Sequence, residues 1–182
     1  MEDLPLYLRL AVILLLVAGN AFFVGSEIAI SSARRSRIRQ LADEGDKRAK
    51  TVHLLHTEPE RFYSVTQVGI TLVSLGLGAV GMETLHTVVD PWVVSIFTAL
   101  GDHDVLHHAA HTVSYVIGFI IVSFIHIVGG ELAPKVLAFH KAERLSMAVG
   151  RLINVMYLTF RPLITVMKWA SDLLLRLSGQ GN

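Results

Sequence analysis

The sequence predicts an all-α integral membrane protein, with three transmembrane helices, cytoplasmic juxtamembrane amphipathic helices and the N-terminus outside. Three observations carry this. Apolar residues make up 52% of the 182 and charged residues 17%, against roughly 25% charge in soluble domains. Three apolar stretches, at 10–33, 62–82 and 112–130, each run about 20 residues, enough to cross a ~30 Å hydrocarbon core. No Lys or Arg occurs between Arg61 and Lys135, whereas basic residues crowd the segments on either side.

The first span, about 8–33, holds the apolar stretch 10–33, which is interrupted only by Asn20, Ser26, Glu27, Ser31 and Ser32. It is not expected to be a cleaved signal peptide, because Glu2 and Asp3 precede it and its apolar run is too long. Residues 34–56 carry charges of both signs and read as one or two short surface helices broken near Gly45. Thr57-Glu58-Pro59-Glu60 reads as a helix start, with Thr57 as cap, Pro59 in the first turn and Glu60 closing a capping box. The second span follows at about 60–82. The apolar run at 91–100, with Trp92, is too short to span and is expected to form a separate interfacial helix. The third span lies at about 112–134.

Two readings compete for 145–178. It is long and apolar, but Arg151, Arg161, Pro162, Lys168, Asp172 and Arg176 interrupt it. Lys168, Asp172 and Arg176 recur at helical spacing as one charged stripe, which favours an amphipathic helix in the cytoplasmic interface over a fourth span. Residues 179–182 read as a tail. The basic residues at 34–61 and after Lys135, set against none at 83–111, put the N-terminus outside by the positive-inside rule. Arg9, on the outer side, is expected to snorkel to the headgroups.

Composition also excludes classes of function. A net charge of +1 argues against nucleic-acid binding, and zero cysteines excludes a disulfide framework, a thiolate zinc module and thiol catalysis. The chemistry must lie in polar residues at membrane depth, where each costs on the order of 2–3 kcal/mol unless it is used. At ~100° per residue, Asn20, Glu27 and Ser31 share one face of the first span, and Gln67, Thr71, Ser74 and Gly78 share one face of the second. The third span ends in Gly129-Gly130-Glu131-Leu132-Ala133-Pro134-Lys135. Pro134 has no amide hydrogen, which frees the Gly130 carbonyl beside the Glu131 carboxylate. Carboxylate, carbonyl and hydroxyl oxygens are hard ligands suited to Mg²⁺ or Na⁺.

Structural roles compete with this one. Serines and threonines in membrane helices also serve packing or bond to their own backbone. Glu27 has a structural alternative, pairing with Arg34 or Arg35. His126 reads as isolated. In the outer connection Asp102, His103, Asp104, His107, His108 and His111 crowd together, and His103, His107 and His111 have zinc-binding spacing on a helix. The competing reading there is a solvated, pH-responsive loop.

Gly19-Asn20-Ala21-Phe22-Phe23-Val24-Gly25-Ser26-Glu27-Ile28-Ala29, followed by Arg34-Arg35-Ser36-Arg37, resembles the first span of the DUF21 transmembrane domain of the CorC/CNNM magnesium transporter family. Thr66-Gln67-Val68-Gly69-Ile70-Thr71-Leu72-Val73-Ser74 resembles its second-span motif, and Gly130-Glu131-Leu132-Ala133-Pro134-Lys135 its Gly-Glu-x-x-Pro-Lys motif. The resemblance covers nearly the whole chain. It implies a homodimer in the bilayer of the cell membrane, in a bacterium the inner membrane, that exports Mg²⁺ in exchange for Na⁺ and is not an enzyme. It further implies cytoplasmic CBS domains, which these residues do not include, so the sequence is expected to be the membrane part of a longer protein. Mapped by motif, the implied ligands are Ser26, Ser74 and Glu131, with the Gly130 carbonyl. Many relatives have serine at the position of Val24; its absence here makes Asn20 and Ser31 alternative first-span donors, and Thr71 lies on the second-span stripe. Two other classes of function remain open: a membrane anchor and dimerisation platform without transport, and a zinc enzyme of the outer loop.

Overall fold

A computed structural model of the chain describes residues 4–100 and 104–177. Its elements are α1 (Leu6–Ser32), α2 (Arg35–Asp43), α3 (Lys47–Thr57), α4 (Glu60–Leu100), α5 (Asp104–Ile125), a π-helical segment (His126–Leu132), α6 (Ala133–His140) and α7 (Ala142–Leu177). Among the described residues there is no strand. Three helical stretches, Leu6–Ser32, Glu60–Ala99 and Leu106–His140, are long and apolar enough to cross a membrane. Their apolar side chains point largely outward, Leu15 being 71% exposed and Phe124 66%. In water this would be an extended apolar patch; in hydrocarbon it is the surface that lipid covers. The protein is an all-α membrane protein.

Residues Met1–Val24 and Gly69–Val136 form one compact unit, and Gly25–Val68 with Leu137–Asn182 a second. The first is built on Ile13 and Val17 of α1, Leu77 and Leu85 of α4 and Val122 of α5. Helices come close where glycine allows it: a Cβ on Gly118 would lie 3.2 Å from the backbone nitrogen of His86. Arg9 does not reach outward to headgroups. It is buried, its Nε donates to the Leu4 carbonyl at 3.0 Å, and its Nη1 lies 3.8 Å from Glu83. The buried guanidinium is satisfied by groups of the protein itself, the Leu4 carbonyl and the half-exposed Glu83 carboxylate.

The second unit packs Ala33, Ile38, Val52 and Ala142 together, with Met147 against them. Gly45 turns the chain between α2 and α3 at φ +101°, a conformation open to glycine. Asp46 then caps α3, its carboxylate accepting from the amides of Ala49 and Arg48, which holds it below the usual carboxylate range. The Arg34 guanidinium is held protonated by Glu143, to which its Nε donates at 2.6 Å, so the pairing of Glu27 with Arg34 does not form.

Three sequence-based boundaries shift. Thr57 does not cap the following helix: it is the last residue of α3, its hydroxyl donates to the Leu54 carbonyl at 2.9 Å, and α4 starts at Glu60. Back-bonding to its own helix competes with capping the next. Residues 91–100 are not a separate interfacial helix but the last turns of α4, which continues through Pro91. Residues 145–178 fall within the single helix α7, apart from the last, and α7 is not among the helices apolar enough to span; its Lys168 pairs with Glu60. The expected tail at 179–182 lies outside the described residues.

His56 gives the second unit a pH dependence. One ring nitrogen bonds the Ile30 carbonyl at 2.8 Å, while Nδ1 is buried without a partner. Burial pushes the imidazole below the usual histidine range; the Ile30 bond opposes this, and Arg35 and His53 reinforce it. The folded state therefore binds fewer protons than the unfolded chain once pH falls through about 6.5, and stability falls with it. The melting temperature in detergent is expected to drop between about pH 7 and pH 5.5, and the drop should shrink in His56→Gln.

Candidate ion-binding site

The first unit holds a polar cluster among otherwise apolar helices. Asn20 of α1 is fully buried, and its Nδ2 donates to the Gly130 carbonyl at 3.1 Å. Its Oδ1 faces outward from that bond and accepts from the Ser74 hydroxyl of α4 at 3.4 Å. Ser74 Oγ is in turn 3.3 Å from Nε2 of His126. The bond to the carbonyl fixes which end of the Asn20 amide is which. If the Ser74 proton goes to Asn20, His126 must donate through Nε2. Every contact is at the long end for a hydrogen bond, so the network holds its members loosely.

The backbone around Gly130 explains why its carbonyl needs a side-chain donor. Pro134 cannot supply the amide that a regular helix would direct there. The chain widens instead into the π segment His126–Leu132, and the Ala133 amide reaches back five residues to the Val128 carbonyl. Gly130 has room only because it lacks a side chain: a Cβ would lie 3.0 Å from the His126 ring and 3.2 Å from Asn20 Nδ2. The carbonyl that the sequence suggests is freed is thus exposed to a partner, and Asn20 is that partner.

Glu131 follows on the same segment. Its carboxylate is one-third exposed and pairs with Nζ of Lys135 at 3.3 Å, one turn on. Of the motif residues, then, Asn20, Ser74 and Gly130 are joined directly, and Glu131 is their chain neighbour. Thr71 lies on the exposed side of α4. Ser26 and Ser31 belong to the second unit. Ser26 is 2% exposed and its hydroxyl has no hydrogen-bond partner, whereas Ser31 donates to the Ile28 carbonyl of its own helix at 3.2 Å.

His126 is the member that sequence reading set aside as isolated. Its signal was available: four residues before Gly130, it lies one helical turn from the glycine pair. The histidine ladder of the outer connection also resolves differently. His103 lies outside the described residues, and His111 Nδ1 engages Asp90 of α4 at 2.8 Å.

Over residues 10–182 the chain matches the family described as the cyclin M transmembrane N-terminal domain. It is 39% identical over 179 residues to the UPF0053 protein YhdT of Bacillus subtilis, covering 98% of this chain and 37% of that protein. The UPF0053 protein YugS of the same organism is 36% identical over 174 residues, covering 96% and 39%. The polyamine export protein of Haemophilus influenzae is 25% identical over 174 residues, covering 96% and 38%. The chain therefore spans about two fifths of the length of these relatives.

Proposed function

The chain belongs to the cyclin M transmembrane N-terminal domain family, and on that premise we propose that it is the membrane domain through which Mg²⁺ is exported, in exchange for Na⁺. Membership makes it a transporter-type membrane domain and not an enzyme. The observation that carries the magnesium reading is the buried contact between Asn20 and Gly130. The 3.1 Å between the amide end and the carbonyl oxygen is close to the ~2.9 Å edge of an octahedron with 2.0–2.1 Å bonds. Turning the Asn20 amide over replaces its NH₂ with Oδ1. Two oxygens facing each other repel unless a cation lies between them, and Mg²⁺ would fill that place.

In this reading the apo cluster is a seal. Asn20 occupies the carbonyl in the absence of the ion and becomes a ligand in its presence, with the Ser74 hydroxyl released to the same ion. Glu131 exchanges Lys135 for the cation and supplies the negative charge needed to hold an ion that gives up water reluctantly. The remaining positions stay hydrated. The π segment supplies the adjustable backbone, since non-helical geometry at membrane depth is tolerated where it lines a polar cavity. The working unit is a homodimer carrying cytoplasmic CBS domains, as the family resemblance implies.

Ser26 is a ligand that the family resemblance implies, and its substitution tests that role apart from the fold. A buried hydroxyl without a partner destabilises the fold. Ser26→Ala is expected to leave the melting temperature unchanged or raised, yet to weaken Mg²⁺ binding; unchanged affinity would remove Ser26 from the ligand set.

The proposal is tested by calorimetric titration of the purified chain with Mg²⁺, Na⁺ and spermidine. Mg²⁺ is expected to bind, with Na⁺ competing. Binding of spermidine in place of Mg²⁺ would move the assignment toward the activity named for the Haemophilus influenzae relative.

A further inference from the structure

We propose that His86, Asp90 and His111 form a second metal site, for one Zn²⁺ or similar borderline transition ion, separate from the magnesium cluster. The three belong to the first unit and share no residue with Asn20, Ser74, Gly130 or Glu131. His86 and Asp90 are four residues apart on α4 and so lie on one face, one turn apart. His111 comes from α5, and the helices approach closely because Gly118 has no side chain to hold the backbone at His86 away.

The two edges to the Asp90 carboxylate are close to those around a bound ion. His86 Nε2 lies 3.3 Å from Asp90 Oδ1 and His111 Nδ1 lies 2.8 Å from it; one ligand atom from each residue falls within 4.8 Å of the others. Tetrahedral zinc with bonds of 2.0–2.1 Å has ligand–ligand edges of about 3.3 Å. The His86 edge already has that length, and the His111 edge needs to open by about half an ångström.

His86 Nε2 carries the inference furthest. It is buried and makes no hydrogen bond despite its proximity to the carboxylate. Buried ring nitrogens are ordinarily satisfied, and a metal ion aimed at by one carboxylate and two imidazoles supplies what is missing. The ring is also fixed in direction, stacked on Tyr115 at 3.8 Å between centroids and 18° between planes. Two imidazoles and a carboxylate leave a fourth position for water, and nitrogen donors select zinc-like ions over Mg²⁺. His111 is half exposed, which provides an entry path. The distribution of basic residues in the sequence puts this end of the helices on the outer face of the membrane, so the ion would arrive from outside.

The test is titration of the purified chain in detergent with Co²⁺, whose visible spectrum reports coordination number. One Co²⁺ per chain is expected, four-coordinate, displaced by Zn²⁺ and not by excess Mg²⁺. Asp90→Asn and His111→Gln should each weaken it at least tenfold, with helical circular dichroism unchanged. A measurement needing no variant is protection of the histidines: Zn²⁺ should slow modification of His111 by diethylpyrocarbonate in the unsubstituted chain. Absence of Co²⁺ binding, affinity unaffected by both substitutions, ready displacement by Mg²⁺, or no protection of His111 would each overturn the assignment, leaving a simple histidine–aspartate ion pair.

Discussion

Replacing Asn20 with leucine is expected to abolish Mg²⁺ binding and to destabilise the domain by about 1–3 kcal/mol. The side chain is fully buried and has the same branched four-atom skeleton as leucine in a smaller volume, so the substitution opens no cavity. It is the Gly130 carbonyl, deprived by Pro134 of its helical amide, that would be left buried and unsatisfied. Affinity should fall at least about a hundredfold, or ~2.8 kcal/mol, because a ligand and the alignment of Ser74 go together. Asn20→Asp tests the two roles against each other. A carboxylate there keeps an oxygen for the ion but faces the carbonyl with like charge, so the ion-free protein should melt lower while Mg²⁺ restores more of the loss than in the parent. Calorimetry and thermal unfolding, each with and without Mg²⁺, read both effects.

Glu131→Gln should have a comparable effect on binding and almost none on stability. Its partner Lys135 is about half exposed, and a pair that open contributes at most about 1 kcal/mol. The carboxylate is the formal charge that the cluster offers a divalent ion, and its loss is expected to lower affinity by about a hundredfold or more. Lys135→Gln should act in the opposite direction, tightening binding several-fold, since the ion no longer displaces an ammonium group. If Glu131→Gln unfolds the protein or leaves Mg²⁺ affinity intact, the carboxylate is structural.

The residues show why the membrane architecture was legible in the sequence and the wiring of the site was not. Spans follow from solvent: about 20 largely apolar residues have few places to be other than lipid, and the three stretches at 10–33, 62–82 and 112–130 lie, Ala33 apart, within the three helices long enough to cross. Helix ends were harder. Thr57-Glu58-Pro59-Glu60 satisfies the pattern of a cap, yet the Thr57 hydroxyl bonds backward to Leu54, and pattern alone does not decide between two nearby backbone partners. The run at 91–100, too short to span by itself, reads in sequence as a separate helix, but α4 continues through Pro91 to include it. The Gly-Gly and Pro134 signals located a backbone defect, which the structure resolves as a π segment.

Within the cluster, periodicity placed Asn20 and Ser74 on polar faces but said nothing of which way an amide turns. Hence the Gly130 carbonyl, which Pro134 marked as a free ligand, is occupied by Asn20. His126 was missed because its partner lies 52 residues away on another helix. The same holds for His86 and Asp90: spacing along one helix drew attention to His103, His107 and His111, while His111 meets residues of α4. Contacts between helices depend on rotation and crossing, which a one-dimensional pattern does not contain.

Mg²⁺ flux in proteoliposomes tests the transport reading most directly. Vesicles holding the unsubstituted chain should pass Mg²⁺ down its gradient, faster against an opposed Na⁺ gradient, and vesicles holding Glu131→Gln should match protein-free controls. Equal flux in the two, or none in the unsubstituted chain, would contradict it; the second result would leave the domain as an anchor and dimerisation platform.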